Sequence, residues 1–170
     1  GIDAAFNDCE ASLAIAGIVG ADFIRVPVFV DTVLFSDGII YPCARKCMNY
    51  RKAMGLEHVK ILADVQVKHA TMLSSQITVE MSAKDAVGNG ADAIIVTGAV
   101  IGAETPIDML QRVQKVVNVP LLAGSGVNHK NIHEQLNIAD GCIIGSSLKK
   151  GGIISNPIDY DLVREVIEAK

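Results

Sequence analysis

From residue 22 onward, short runs of branched aliphatic residues alternate with longer stretches in which apolar positions recur every three or four residues. The runs at 23–30, 59–67, 93–97, 119–123 and 141–145 are of strand length, and the stretches between them carry the period of amphipathic helices. In the last stretch Leu162, Val163, Val166 and Ile167 share one helical face, and Asp159 stands where an N-cap belongs.

Gly-Ala-Asp closes the first helical stretch at Gly20, Ala21 and Asp22 and returns at Gly90, Ala91 and Asp92, with a related Ile-Ala-Asp-Gly at 138–141. A glycine just past a helix takes a left-handed turn at little cost, so the repeat marks the junction between a helix and a buried strand. Strands separated by helices predict right-handed crossovers and a parallel sheet. Five strands, with a strand remnant in residues 1–6, fall short of the eight in a (β/α)8 barrel of roughly 250 residues. The expectation is a single domain over residues 1–170 that forms the C-terminal part of such a TIM barrel, with two to three N-terminal strands absent. An open doubly wound parallel sheet is the alternative, since five or six strands complete it.

Half of the 170 residues are apolar and a fifth are charged, enough for one sizeable core. The net charge of -4 and the lack of a Lys/Arg stripe argue against a nucleic-acid partner, which requires clustered cations. Charged residues interrupt every apolar run before the roughly 18 residues of a membrane span. Cys9, Cys43, Cys47 and Cys142 fit no zinc spacing and read as reduced thiols in a cytoplasmic protein. Cys43 and Cys47, one helical turn apart, are an alternative soft-metal pair.

Active sites of parallel barrels lie at the C-terminal ends of the strands. Two such ends carry Gly124-Ser125-Gly126 and Gly145-Ser146-Ser147. Glycine lets the backbone approach an anion, and amides, hydroxyls and a helix end then hold it, so the two turns predict a phosphate site. Either turn alone is weak, because glycine and serine are ordinary turn residues.

The strand at 59–67 is unusually polar. Alternation puts Ile61, Ala63, Val65 and Val67 toward the helices and Leu62, Asp64 and Gln66 toward the interior. By the same parity Arg25 points inward from the preceding strand and is placed to pair with Asp64. The pair reads either as a structural ion pair or as part of a catalytic group with Lys68 and His69. In the second reading Lys68 is a candidate Schiff-base lysine, and His69 is a general acid or base, or a divalent-metal ligand with Asp64. An exposed lysine and a solvated histidine are the plain alternatives. Asn7 and Asp8 reach the same rim or cap the following helix, and His58, His129 and His133 receive no role. The connection from Asp31 to Arg45, containing Asp37-Gly38-Ile39-Ile40, is long enough for a lid or for a contact in a homo-oligomer.

These blocks together resemble the BtpA/SgcQ family. The resemblance is carried by Asn7-Asp8, by 20–26 ending in Arg25-Val26, by 60–65 with Val67-Lys68-His69-Ala70, and by 124–127, 139–141 and 145–149. It implies a (β/α)8 fold, absence of the first two strands and most of the third, and an acidic strand end lost with them. It brings no established reaction, although the founding member of the family is linked to photosystem I biogenesis. Asp3 and Ala4 depart from the family pattern, and Pro27 removes a ladder donor, so the strand it interrupts is expected to bulge or end early.

Two functions remain. One is binding of a small phosphorylated metabolite, a sugar phosphate or nucleotide, with isomerase, aldolase, lyase or hydrolase chemistry. The other is a non-catalytic assembly or stability factor for a membrane complex such as photosystem I.

Overall fold

A computed structural model of the chain describes residues 1–4, 6–36, 38–98 and 104–170. Helix α1 (Cys9–Val19) precedes strand β1 (Phe23–Val26), an antiparallel pair β2 (Val33–Phe35) and β3 (Gly38–Ile40), and helix α2 (Ala44–Ala53). Strand β4 (Lys60–Val65), the short β5 (Thr71–Met72), α3 (Val79–Gly88), β6 (Ala93–Val96) and α4 (Ile107–Gln114) follow. Strand β7 (Leu121–Ala123), α5 (Ile132–Leu136), β8 (Gly141–Cys142), two 3-10 turns and α6 (Tyr160–Glu168) complete the order.

The main sheet is parallel, in the order β1-β4-β6-β7-β8. Each new strand is added beside its predecessor in the same direction. A doubly wound sheet must instead reverse its strand order at a switch point, so the single direction excludes that alternative. Continued winding of this kind leads to a barrel, which here is not closed. Ile2 bridges Ile24 in parallel on the outer edge of β1, which is the strand remnant expected near residue 2.

The strand parity holds where it positions the site: Ile61, Ala63 and Val65 are buried in the core with Ile24 and Val26. Strand β1 stops at Val26 because Pro27 has no N–H for the ladder. Strand β4 stops at Val65, and Gln66 leaves the expected inward row. Its φ is 48°, its N–H donates to Asp31 Oδ2 and its Nε2 to the Ile77 carbonyl.

The repeated Gly-Ala-Asp acts at both ends of the junction. Gly20 and Gly90 have φ of 68° and 98°, and the aspartates tie down the neighbouring strand. Asp92 Oδ2 accepts the Ile61 N–H at 2.9 Å, and Asp140 Oδ2 accepts the Leu121 N–H at 2.8 Å. In α6, Asp159 caps the first turn as expected, but only Val166 of its apolar face is buried.

The long connection 31–45 is not a loose lid. It forms β2 and β3, which join β5 in a second, antiparallel sheet. Val28, Val33 and Val67 seat that sheet on the segments following β1 and β4. Asp37, named in the lid expectation, lies outside the described residues.

Candidate functional site

The two glycine–serine turns meet. Gly124, Ser125 and Gly126 after β7 and Gly145 and Ser146 after β8 line one cavity of about 230 Å³ with Arg25, Lys68, Lys149, Ile143 and Ile154. Strands β7 and β8 are hydrogen-bonded neighbours, so turns at their C-terminal ends stand side by side.

The turn after β7 is fixed from beneath. Ser125 is buried, and its hydroxyl accepts the Gly98 N–H. Thr105 Oγ1 lies 3.1 Å from the Ser125 carbonyl and 3.2 Å from the Val96 carbonyl, and the Ser125 N–H donates back to it at 3.4 Å. Gln135 Nε2 donates to the Thr105 carbonyl at 3.0 Å. Gly126, at φ 67°, turns its carbonyl to the side-chain amides of Asn128 and Asn131. The Gly124 N–H donates to the Val96 carbonyl at 2.7 Å, so the first two amides of this turn serve the fold.

The turn after β8 is open. A Cβ on Gly145 would meet nothing within 4 Å. Ser146 begins a 3-10 turn, whose first amides have no carbonyl within the turn. Ser147 does not line the cavity: its hydroxyl donates to the Val127 carbonyl at 2.6 Å and ties the two turns together.

Arg25 supplies the charge on the opposite wall. Its Nε and one terminal nitrogen donate to the two carboxylate oxygens of Asp64, both at 2.8 Å. The Asp64 side chain is fully buried, whereas that of Arg25 is 20 % exposed. Burial pushes the Asp64 carboxyl up, and Arg25 pulls it back. The hydrogen bonds that Arg25 donates to Asp64 in turn raise the Arg25 guanidinium above its usual value. Two N–H donors on two oxygens is the geometry of an ionised pair, and it leaves the outer N–H groups of Arg25 toward the cavity. Asp64 is not among the residues lining the cavity, and each of its oxygens accepts one hydrogen bond from Arg25, the pairing that strand parity leads one to expect.

Lys68 and His69 part company. The Ala70 N–H reaches the Val67 carbonyl at 3.4 Å, closing a turn with Lys68 and His69 at its centre. His69 takes the left-handed φ of 65° that such a corner requires and is exposed, while Lys68 lines the cavity. Among the described residues no group of three His, Cys, Asp or Glu side chains is arranged to hold a metal ion. Asp8 caps α1, accepting the Ala11 N–H at 3.0 Å, and Asn7 Oδ1 accepts the Val28 N–H at 2.8 Å. Neither reaches the cavity.

Sequence reasoning misses Lys149 and Thr105. Lys149 is legible as the cation next after the second turn; it lines the cavity with its ammonium donating to the Ile154 carbonyl. Thr105 carries no motif, and only the adjacency of β6 and β7 brings it under Ser125.

An open TIM-barrel fold with a cavity at the strand ends lined by two glycine–serine turns and by Arg25, Lys68 and Lys149 defines the class of protein. The BtpA family model matches residues 1–170, and the chain belongs to the BtpA family. It is 42 % identical over 162 residues to an uncharacterized protein of Pyrococcus abyssi, covering 95 % of this chain and 61 % of that one. It is 36 % identical over 171 residues to the photosystem I biogenesis protein BtpA of Synechocystis, covering 99 % and 59 %. The chain thus spans about 60 % of the length of these relatives. Similar folds occur in a thiamine phosphate pyrophosphorylase from Pyrococcus furiosus, with TM-score 0.60, 16 % identity and coverage of 92 % and 63 %. Mycobacterium tuberculosis tryptophan synthase matches with TM-score 0.63, 17 % identity and coverage of 94 % and 56 %. These structures support the fold alone. Among the described residues no helix is long and apolar enough to cross a membrane.

Proposed function

We propose that the protein binds a small phosphorylated metabolite, a sugar phosphate or a nucleotide, with the phosphate seated between the two glycine–serine turns. The observation that carries this reading is the opening of both turns onto one cavity with Arg25, Lys68 and Lys149 around it. The first amides of the 3-10 turn after β8, together with the cations Arg25, Lys68 and Lys149, suit a dianion better than a neutral or cationic guest. Arg25, held by Asp64, contacts the anion; Lys68 stands close enough to the same cavity to act on a carbonyl or a transferable proton of the bound ester. Isomerisation, aldol or lyase cleavage, and hydrolysis are the reactions open to that set.

Calorimetric titration of the protein with inorganic phosphate and a panel of sugar phosphates and nucleotides tests this directly. Saturable binding that weakens at least about tenfold in R25M, or roughly 1.4 kcal/mol, is the expected result. Absence of binding by every phosphate ester in the panel overturns it.

A second reading, an assembly factor for a membrane complex, draws on the role that names the Synechocystis relative and on exposed Ile153, Ile154, Ile158 and Tyr160 beside the cavity. Under that reading G145V supports assembly as well as the unchanged protein does, whereas substitution of those apolar residues abolishes it.

A further inference from the structure

The connection between the second glycine–serine turn and α6 closes on itself. At its base Lys149 and Ile158 form an antiparallel bridge, the Asp159 N–H donates to the Leu148 carbonyl at 2.8 Å, and the Lys150 N–H donates to the Pro157 carbonyl at 3.2 Å. Above the base, the Gly152 N–H donates to the Lys149 carbonyl at 2.8 Å and the Asn156 N–H to the Ile153 carbonyl at 3.0 Å. The Asn156 side-chain amide donates to the Lys150 carbonyl at 2.8 Å. Among the described residues, every hydrogen bond of residues 150–157 ends within 149–158. Residues 151–155 are all exposed, and Ile153 and Ile154 belong to neither apolar cluster. The segment is a strap with a fixed base and a tip that packs on nothing else. Two features couple that tip to the cavity. Ile154 and Lys149 both line it, and the Lys149 ammonium donates to the Ile154 carbonyl. Gly151 and Gly152, at φ 69° and 70°, stand in succession between base and tip, where the lack of a Cβ lets the backbone turn at little cost.

We propose that the strap 149–158 closes over the cavity when an anion binds there, and that Lys149 draws it shut. The proposal rests on the phosphate reading of the cavity. An ammonium has three donors, and the bond to Ile154 uses one of them. A phosphate oxygen is a stronger partner for an ammonium than a neutral carbonyl is. An anion at the turns therefore pulls the Lys149 ammonium inward, and the Ile154 carbonyl, still bonded to it, brings the tip along. Gly151 and Gly152 absorb the change in backbone direction while the bridge at Lys149 and Ile158 holds the base. Ile153 and Ile154, 55 % and 54 % exposed in the free protein, then lose apolar surface to the ligand and the cavity rim, which favours the closed form. Covering the mouth excludes water, and the charge interactions inside strengthen. Two adjacent isoleucines on an exposed tip thus have their cover in the ligand site beside them.

Amide hydrogen exchange of the unsubstituted protein, with and without saturating inorganic phosphate or glycerol phosphate, tests the closure, and calorimetry on the same samples measures binding. The amides of 151–155 are expected to exchange at least about tenfold more slowly in the complex. The chain has no tryptophan, so I153W gives it a single indole at the tip. Its emission is expected to shift to the blue on titration, with a midpoint that matches the calorimetric Kd. K149M is expected to bind more weakly and to leave the strap amides unprotected even at saturation, which loss of one cation from the cavity would not by itself produce. Calorimetric binding in which either the slowed exchange or the blue shift is missing overturns the closure and leaves the phosphate reading standing. Protection that K149M retains at saturation overturns the part assigned to Lys149. Absence of binding by every phosphate ester removes the phosphate reading, and the closure with it.

Discussion

The two glycine–serine turns are nearly interchangeable as strings, yet they are built in opposite ways. After β7, Gly124 and Ser125 are buried, Thr105 and Gln135 engage the backbone from below, and a Cβ on Gly124 would lie 2.4 Å from Ile95 Cγ2. After β8, Gly145 is exposed and a Cβ there would meet nothing. Glycine at 124 is demanded by packing, and glycine at 145 leaves the cavity open. The same residue type at two adjacent strand ends therefore serves the fold in one case and access by a ligand in the other. With both turns, Arg25 lines the cavity as a side chain whose geometry depends on its pairing with the buried Asp64 rather than on backbone shape.

The contrast predicts a graded series. R25M carries the largest cost, because it leaves the fully buried Asp64 carboxylate without a counter-charge; a loss of about 3–5 kcal/mol at neutral pH is expected in denaturant unfolding. The pH dependence has a definite sign. Burial holds the folded-state Asp64 above its ordinary value of 3.8, and removal of Arg25 raises it further. The folded form then binds the proton that the unfolded form releases, so stability is lost as pH rises through the raised folded value and is regained on acidification toward 3.8. R25M whose deficit is the same at neutral pH and near pH 4 would show that the carboxyl is not the source.

Next comes G124V, which forces a side chain against Ile95, Thr97 and the Val96 carbonyl. Overpacking of this kind costs about 3 kcal/mol at its upper range, read as a lower melting temperature. T105V follows at about 1–2 kcal/mol, since it strips a hydroxyl from buried partners on β6 and on the first turn. T105S restores the hydroxyl and recovers most of that loss; equal destabilisation by both variants would assign the effect to the methyl group and to packing.

How much of this is legible in the sequence depends on what each feature rests on. The parallel sheet, the remnant at Ile2 and the pairing of Arg25 with Asp64 follow from alternation and period, which are local properties of the string. Early termination at Pro27 is equally local. The choice between barrel and doubly wound sheet needs strand order, which no single segment contains. His69 escapes the expected place because a left-handed corner after β4 reverses the direction in which neighbouring side chains point, and neither Lys68 nor His69 is a residue that advertises such a turn. Ser147 reads as a phosphate donor because the motif has three polar-turn residues; in three dimensions its hydroxyl is spent on Val127. Thr105 and Gln135 are invisible for a related reason: their partners lie 20 and 30 residues away in sequence.

The smallest stability effect and the sharpest functional one belong to G145V. No atom stands within 4 Å of where a Cβ would sit, so the fold should lose less than it does in G124V. The added isopropyl group instead enlarges a residue that lines the cavity. Phosphate binding should therefore fall at least about tenfold in calorimetry while the melting temperature stays near that of the unsubstituted protein. G124V gives the mirror image, a lower melting temperature that limits binding only through the folded fraction. If G145V binds phosphate normally, the open turn does not hold the anion and the two-walled cradle fails; if G145V unfolds the protein as G124V does, the distinction between a packed turn and an open one is lost.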